Sequence, residues 1–198
     1  MKEALLVLDA QKVYTDNNSE LYCEGADVTI NNINRLINVM EKRHQLIILV
    51  RHMHKVDGSD TGRLFDFSGE AEDDFNFKEG SEEVEFDESL VCPLNAVEII
   101  KNRYSSFVGT DLEKILKQNN IGKVVICGFM TNFCCESTAR DALDRDFYVD
   151  FILDATGTPG IEELDQDEVK KVVAKLLGAG FARILQTQEF LAERSEET

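Results

Sequence analysis

Along the chain, short apolar runs alternate with stretches whose apolar residues recur every three or four positions. Residues 4–9, ALLVLD, are apolar almost throughout, as expected of a strand covered on both faces. Residues 27–43 set Val28, Ile30, Ile33, Leu36, Ile37 and Met40 close to helical spacing, with Asp27 as a candidate N-cap. A second strand is predicted at 45–52, a third at 96–101, and a helix over 111–122 whose end is marked by Asn and Gly. Strand 123–128, helix 132–146, strand 147–153, helix 162–178 and strand 181–186 complete the series. This alternation predicts a three-layer α/β/α fold in a single domain over 1–198: a mostly parallel six-stranded sheet with right-handed crossovers, covered on both sides.

Residues 55–88 break the rhythm. Carboxylates crowd between Asp57 and Glu88 against two basic residues, Arg63 and Lys78. Such a charge run is ordinarily a solvated loop. Here Phe65, Phe67, Phe75 and Phe77 interrupt it, so part of the segment is expected to pack down as an acidic insert or lid over one end of the sheet. It leaves the strand that ends at His52 and His54, and is therefore expected to cover a pocket mouth at that edge. Its field would disfavour anionic substrates modestly, unless Arg63 or Lys78 turns inward.

Charge and composition narrow the partners. The formal net charge of −17 repels phosphates, which argues against nucleic acid and anionic membrane surfaces. No apolar run approaches the roughly 20 residues of a membrane span. The opening MKEALLVLDAQ reads as a first strand rather than a signal peptide, so a cytoplasmic location is expected. Five cysteines, an odd number without a CxxC pair, fit neither a disulfide framework nor a cysteine zinc site.

In open parallel sheets, ligands bind beyond the carboxyl ends of the strands. Three predicted strands end there in reactive groups: LLVLD at Asp9, VEIIK at Lys101, and VVICGFMTNFC in a turn to Cys134. An aspartate after a strand is commonly a turn or cap residue, and a lysine there is commonly on the surface. Their convergence on one rim is what points to chemistry. The adjacent cysteines separate by helical phase. Cys135, Ala139 and Ala142 form a small apolar stripe suited to packing on the sheet, while Glu136, Arg140 and Asp144 form an exposed charge ladder. Cys134 is rotated away into the first turn, where free N–H groups and the helix dipole are expected to lower a thiol pKa. Cys134 is thus the reactive candidate, with Asp9 as base and Lys101 holding the thiolate.

These residues resemble the isochorismatase-like cysteine hydrolases, which include nicotinamidases, N-carbamoylsarcosine amidases, ureidoacrylate amidohydrolases and isochorismatases. The match runs through ALLVLDAQ, VEIIKNRYSSF, VVICGFMTNFCCESTARDA and FILDATGT, with Gly-x-x-Thr-x-x-Cys followed by Thr-Ala-Arg-x-Ala as its most specific part. The resemblance implies an isochorismatase-like fold and a catalytic triad of Asp9, Lys101 and Cys134. It also implies a non-proline cis peptide at Phe129–Met130, with the Met130 and Cys134 N–H groups as an oxyanion hole. Cys135 stands where the family usually has valine.

The activity implied is hydrolysis of a small-molecule amide or carbamoyl C–N bond through a thioester. Family members that cleave the vinyl ether of isochorismate commonly lack the cysteine. That activity, and a non-enzymatic binding or redox-thiol role, are the alternatives. Nicotinamidases of the family bind a metal through Asp-x-His and a distant His. Here the strand end reads RHMH, with His52 in the place of the Asp, His54 matching the first His, and His44 before the strand. No metal or other cofactor is therefore expected, and His52 and His54 are expected to line or border the pocket. By analogy with the family, a homo-oligomer, dimer or tetramer, is expected.

Overall fold

The computed structural model describes residues 1–66, 68–69 and 75–195. Phe67, one of the four phenylalanines expected to pack down, lies outside them. Strand β1 (Lys2–Leu8) is buried at every residue after Lys2, which is why its sequence is apolar without alternation. It pairs with β2 (Leu46–His52) on one side and β4 (Ile121–Phe129) on the other. β3 (Val97–Lys101), β5 (Tyr148–Gly157) and β6 (Arg183–Leu185) complete a six-stranded sheet of order β3-β2-β1-β4-β5-β6, and every pairing is parallel. The chain winds outward from β1 to β3, then crosses back to β4, so the strand order reverses between β1 and β4.

Successive side chains of β1 feed two separate cores. Leu5 and Val7 pack under α1 (Lys12–Thr15), α2 (Ala26–Lys42) and α6 (Thr187–Ser195). Ala4, Leu6 and Leu8 pack under α3 (Leu112–Gln118), α4 (Glu136–Asp144) and α5 (Gln166–Gly178). The expected three layers are present. No helix among the described residues is long and apolar enough to cross a membrane.

Local details differ from the sequence reading for identifiable reasons. α2 is capped by Gly25 in the left-handed conformation (φ 72°), not by Asp27, which sits in the first turn where the helix dipole favours its charge. Val28 faces outward, 59% exposed, while Ile30, Ile33, Leu36, Ile37 and Met40 are buried. α3 stops at Gln118 because Ile121 already enters β4. α5 begins at Gln166, four residues into the predicted span, behind a reciprocal capping box between Asp165 and Glu168. α6 was not predicted. Its buried side are Thr187, Phe190 and Arg194, too polar to read as an apolar stripe.

Several described residues of the 55–88 segment pack onto the sheet. Phe77 and Val84 are buried in the first core, and Phe65 packs against it. Its base is tied to the sheet edge by the Lys12 N–H to the Glu85 carbonyl (2.8 Å) and the Asp87 N–H to the Ala10 carbonyl (2.9 Å). Gln11 acts as a further rung. Its side-chain amide donates to the carbonyls of His52 (3.0 Å) and Val84 (2.9 Å), and its oxygen accepts from the His52 N–H (2.8 Å).

Candidate active site

The three strand-end groups meet where the strand order reverses. β4 can run beside the end of β1 because residue 128 is glycine: at its φ of 120°, a Cβ would lie 1.9 Å from the Leu8 carbonyl oxygen. The next residue of β1's exit, Asp9, has φ 50°, a left-handed conformation that aspartate tolerates better than most residues. Past Gly128 the chain passes through a cis Phe129–Met130 peptide, at the expected position. It then makes one wide π-type turn, Thr131–Cys135, before α4 begins. The predicted helix over 132–146 therefore starts with an underwound turn that carries Cys134.

Lys101 sits at the centre. Its Nζ lies 2.8 Å from Asp9 Oδ2 and donates to Cys134 Sγ at 3.1 Å and to the Arg103 carbonyl at 3.0 Å. Two of the ammonium's protons are thereby committed to acceptors, and the Asp9 carboxylate faces it as an ion pair. Asp9 and Lys101 have no side-chain exposure, and Cys134 is buried. Burial raises Asp9 above the ordinary carboxylate range, against the pull of Lys101. Burial disfavours the Lys101 charge, but the attraction of Asp9 and Cys134 outweighs it and leaves the ammonium more basic than usual.

The thiol differs from the sequence expectation. Burial pushes Cys134 up to about 12, and Lys101, which favours the thiolate, offsets this only in part while Asp9 opposes it. A position at a helix start would lower the pKa if the sulfur were solvated. Here desolvation of the anion is the larger effect. Asp9 and Lys101 thus face each other as an ion pair beside a thiol whose ionisation burial opposes.

Cys135 is fully buried among Ala139 and Ala142 in the second core, as its helical phase implied. The charge ladder forms in part: Arg140 Nη2 meets Glu136 at 2.6 Å, while the next rung is Arg145 with Asp141 at 2.7 Å rather than Arg140 with Asp144.

A cavity of about 180 Å³ opens on Cys134. It is lined by Tyr14, His52, Tyr104, Met130 and Phe133 and by Leu64, Phe65 and Phe77 of the insert. Part of the acidic insert therefore does cover the pocket. Tyr14, Tyr104 and Phe133 were not singled out in the sequence, although each follows a strand end that was. Tyr14 is buried and stacks on Phe129, centroids 5.5 Å apart, and burial holds its hydroxyl well above the ordinary range.

The two histidines of RHMH are both buried beside the cavity. Their Nε2 atoms are 3.0 Å apart, and His54 Nδ1 lies 3.4 Å from Asp60 Oδ1. Burial, reinforced by the Lys101 charge, holds His52 well below its usual value, and burial likewise lowers His54. His52 stacks on Phe77 at 4.5 Å. The two imidazoles face each other, and His44, which completes the histidine count, is exposed at the opposite end of β2, so two histidines and no third stand at this edge among the described residues. Asp9, His52 and Cys134 do bring potential ligand atoms within 4.8 Å of one another. The Lys101 ammonium already stands against two of the three, so a divalent cation there would meet a buried positive charge.

A doubly wound parallel sheet with an acid, a lysine and a thiol at its carboxyl edge defines a class of hydrolases. The Isochorismatase domain model matches residues 3–189, and the chain belongs to the isochorismatase family. It is a hydrolase of that family. It is 29% identical over 185 residues to Nicotinamidase 3 of Arabidopsis thaliana, covering 92% of this chain and 83% of that one. A shorter stretch of 66 residues is 39% identical to the ureidoacrylate amidohydrolase RutB of Methylorubrum extorquens, covering 32% of this chain and 27% of the relative. Among solved structures, a cysteine hydrolase from Pseudomonas syringae superposes with a TM-score of 0.89 at 26% identity, covering 100% of this chain and 94% of that one.

Proposed function

We propose that this chain is a cysteine-dependent amidohydrolase, cleaving an amide or carbamoyl C–N bond of a small molecule. The observation that carries the reading is Lys101 Nζ standing between Asp9 (2.8 Å) and Cys134 (3.1 Å), with Cys134 lining a cavity. Because the thiol is protonated at rest, its proton must leave as the sulfur attacks. Asp9, made more basic than an ordinary carboxylate by burial, takes it. Lys101 offsets the negative charge that develops on sulfur.

The Cys134 Sγ forms a bond to the substrate carbonyl carbon, and the N–H groups of Met130 and Cys134 are assigned to the resulting oxyanion. Collapse of this intermediate breaks the C–N bond, and the Asp9 proton departs with ammonia or an amine. Water then attacks the thioester, Asp9 takes its proton, and the acid leaves as the thiol re-forms. The names of two relatives, a nicotinamidase and a ureidoacrylate amidohydrolase, favour C–N over C–O cleavage. A buried thiol paired to an acid and a lysine also has no use in vinyl ether hydrolysis.

Ammonia release from a panel of primary amides, ureas and N-carbamoyl compounds tests this, with intact-protein mass spectrometry to detect an acyl group on Cys134. We expect at least one compound to be turned over, and none by Cys134→Ala. Turnover of a vinyl ether without ammonia, retained in Cys134→Ala, would overturn the reading.

A further inference from the structure

We propose that Arg103 recognises an anionic group on the substrate, so that the preferred substrate is a small amide carrying a carboxylate beyond the scissile bond. This deepens the amidohydrolase reading and rests on it for what the bound molecule is. The first observation is a second cavity, of about 790 Å³, lined by Gly62, Arg63, Leu64, Arg103, Tyr104 and Phe133. It shares Leu64, Tyr104 and Phe133 with the reaction cavity, so the two adjoin across those side chains. A small amide with its carbonyl at Cys134 and a tail of a few bonds would lie in both.

The second observation is the state of the guanidinium. Arg103 Nη1 donates to three neutral oxygens: the carbonyls of Asp60 (2.7 Å) and Asn102 (2.5 Å) and Asn102 Oδ1 (3.3 Å). These bonds fix the group in place without neutralising it. No carboxylate pairs with Arg103 among the described residues, in a chain with 38 acidic residues. Its Nε and Nη2, the edge that carboxylates grip in a bidentate fashion, have no protein partner there.

The third observation concerns the turn above it. Gly62 has φ 65°, and a Cβ on it would lie 2.4 Å from Arg103 Nη2 and 3.2 Å from Nε. Glycine lets the insert's backbone close over the guanidinium, where any side chain would collide with it. The charge also reaches inward, since Arg103 contributes to the low basicity of both His52 and His54 after burial.

Among the described residues, the two insert carboxylates nearest this turn in sequence, Asp60 and Asp66, are committed elsewhere. Asp60 accepts from the Lys55 N–H (3.0 Å) and faces His54 at 3.4 Å, and Asp66 pairs with Arg63. Arg63 is itself 81% exposed and Lys78 lies over the Phe75 ring. The local cation that overrules the acidic insert is thus neither of the two read from its composition.

Alkylation of Cys134 tests the proposal without requiring turnover. The reagents are N-iodoacetyl derivatives of glycine, β-alanine and γ-aminobutyrate, each compared with its neutral primary amide. In each, an S–C bond forms, iodide leaves and the thiol proton is lost. At one tail length we expect the acid to modify Cys134 about ten-fold faster than its amide at low salt. The ratio should shrink in high salt, fall to that of free cysteine in Arg103→Gln, and persist in Arg103→Lys and Arg63→Gln. Equal rates for acid and amide at every length, or an unchanged ratio in Arg103→Gln, would overturn it. So would an Arg103→Gln protein that slows both reagents alike, since that marks only an anchor for the insert. If Arg103→Gln does not fold, the salt dependence of the wild-type ratio and the Arg103→Lys value decide. A protein that shows the preference but releases no ammonia would reject the amidohydrolase reading alone.

Discussion

Two buried charge clusters cap opposite ends of the same sheet, and they are built differently. At the amino ends of the strands, Asp150 of β5 accepts from Arg183 Nε and Nη2 (2.9 Å each), Lys123 (3.3 Å) and Arg194 (3.4 Å). Arg194 also bonds both oxygens of Glu3, at 3.2 and 2.7 Å. Every charge there has several partners. At the carboxyl ends, the Asp9 oxygens meet the Lys101 ammonium but accept no well-directed hydrogen bond among the described residues. The Nδ1 atoms of His52 and His54 likewise lack a well-directed bond. The saturated cluster holds the fold together. The unsaturated one keeps hydrogen-bonding capacity free for a substrate, at a cost in stability that the first cluster helps to offset.

The sharpest way to break this comparison is to exchange the effects of substitutions at the two ends. Cys134→Ala should lower kcat by about 10⁴-fold or more, as loss of a nucleophile does, with the Tm unchanged. Asp150→Ala should do the reverse. Removing the shared acceptor of three buried or half-buried cations should cost about 3–5 kcal/mol. That corresponds to roughly 10 °C in Tm for a chain of this size, with activity per folded molecule retained. A calorimetric scan and a turnover assay on both variants decide it.

A second comparison sharpens the cost assigned to the active rim. Asp9→Asn should lower kcat by about 10²–10⁴-fold through loss of the base. The double variant Asp9→Asn/Lys101→Met should also be inactive, yet as stable as the parent or more so, because a buried ion pair is often replaced by apolar atoms without loss. A large fall in its Tm would show that the rim is as structural as the opposite cluster.

Acid should separate the two ends. Asp150 is buried, but Arg183 and Lys123 hold it below the ordinary aspartate value. It therefore stabilises the fold above its unfolded pKa, and that contribution is lost as pH falls through the lower folded value. Asp9 is raised, so its ionised form costs the fold stability at neutral pH and is protonated earlier as pH falls. On lowering the pH, kcat should fall on an acid limb above the ordinary aspartate range while the Tm still holds. Simultaneous loss of both would contradict the separation.

The smallest effects belong to Cys135 and to metal. Cys135→Val should change stability by about 1 kcal/mol or less, since the volume is nearly conserved in a packed site, and leave kcat near wild type. Peptide mapping after iodoacetamide should find more adduct on Cys134 than on Cys135. EDTA treatment and desalting should leave activity intact, because Lys101 occupies the position a cation would need.

Much of this site was legible because its parts lie at strand ends. The rule that ligands gather beyond the carboxyl edge needs only a strand and the residue after it, and Asp9, Lys101 and Cys134 satisfy it locally. The same locality explains the failures. The Cys134 pKa depends on the total desolvation produced by packing from several elements, which no window of sequence reports. Arg103 looked like an ordinary loop residue two positions past Lys101, because its significance depends on which acids are already paired elsewhere. Gly25 displaced Asp27 as a cap because the chain enters α2 through a left-handed residue, a choice set by the preceding loop. α6 went unread because its buried Arg194 finds Glu3 across 191 residues of sequence.

The protonated thiol has a bearing on how long such a protein lasts in an oxidising burst. Peroxide attacks the thiolate, as alkylating agents do, and oxidation beyond the sulfenic acid is largely irreversible. A cysteine whose thiol is raised by burial presents less thiolate at neutral pH than a solvated one. Its reactivity is withheld until a carbonyl arrives and Asp9 can take the proton. Cys135 alongside is sealed in the core, and burial raises its thiol as well. The adjacent pair that looks from its sequence like a redox switch is thus, in its resting form, poorly disposed to oxidise.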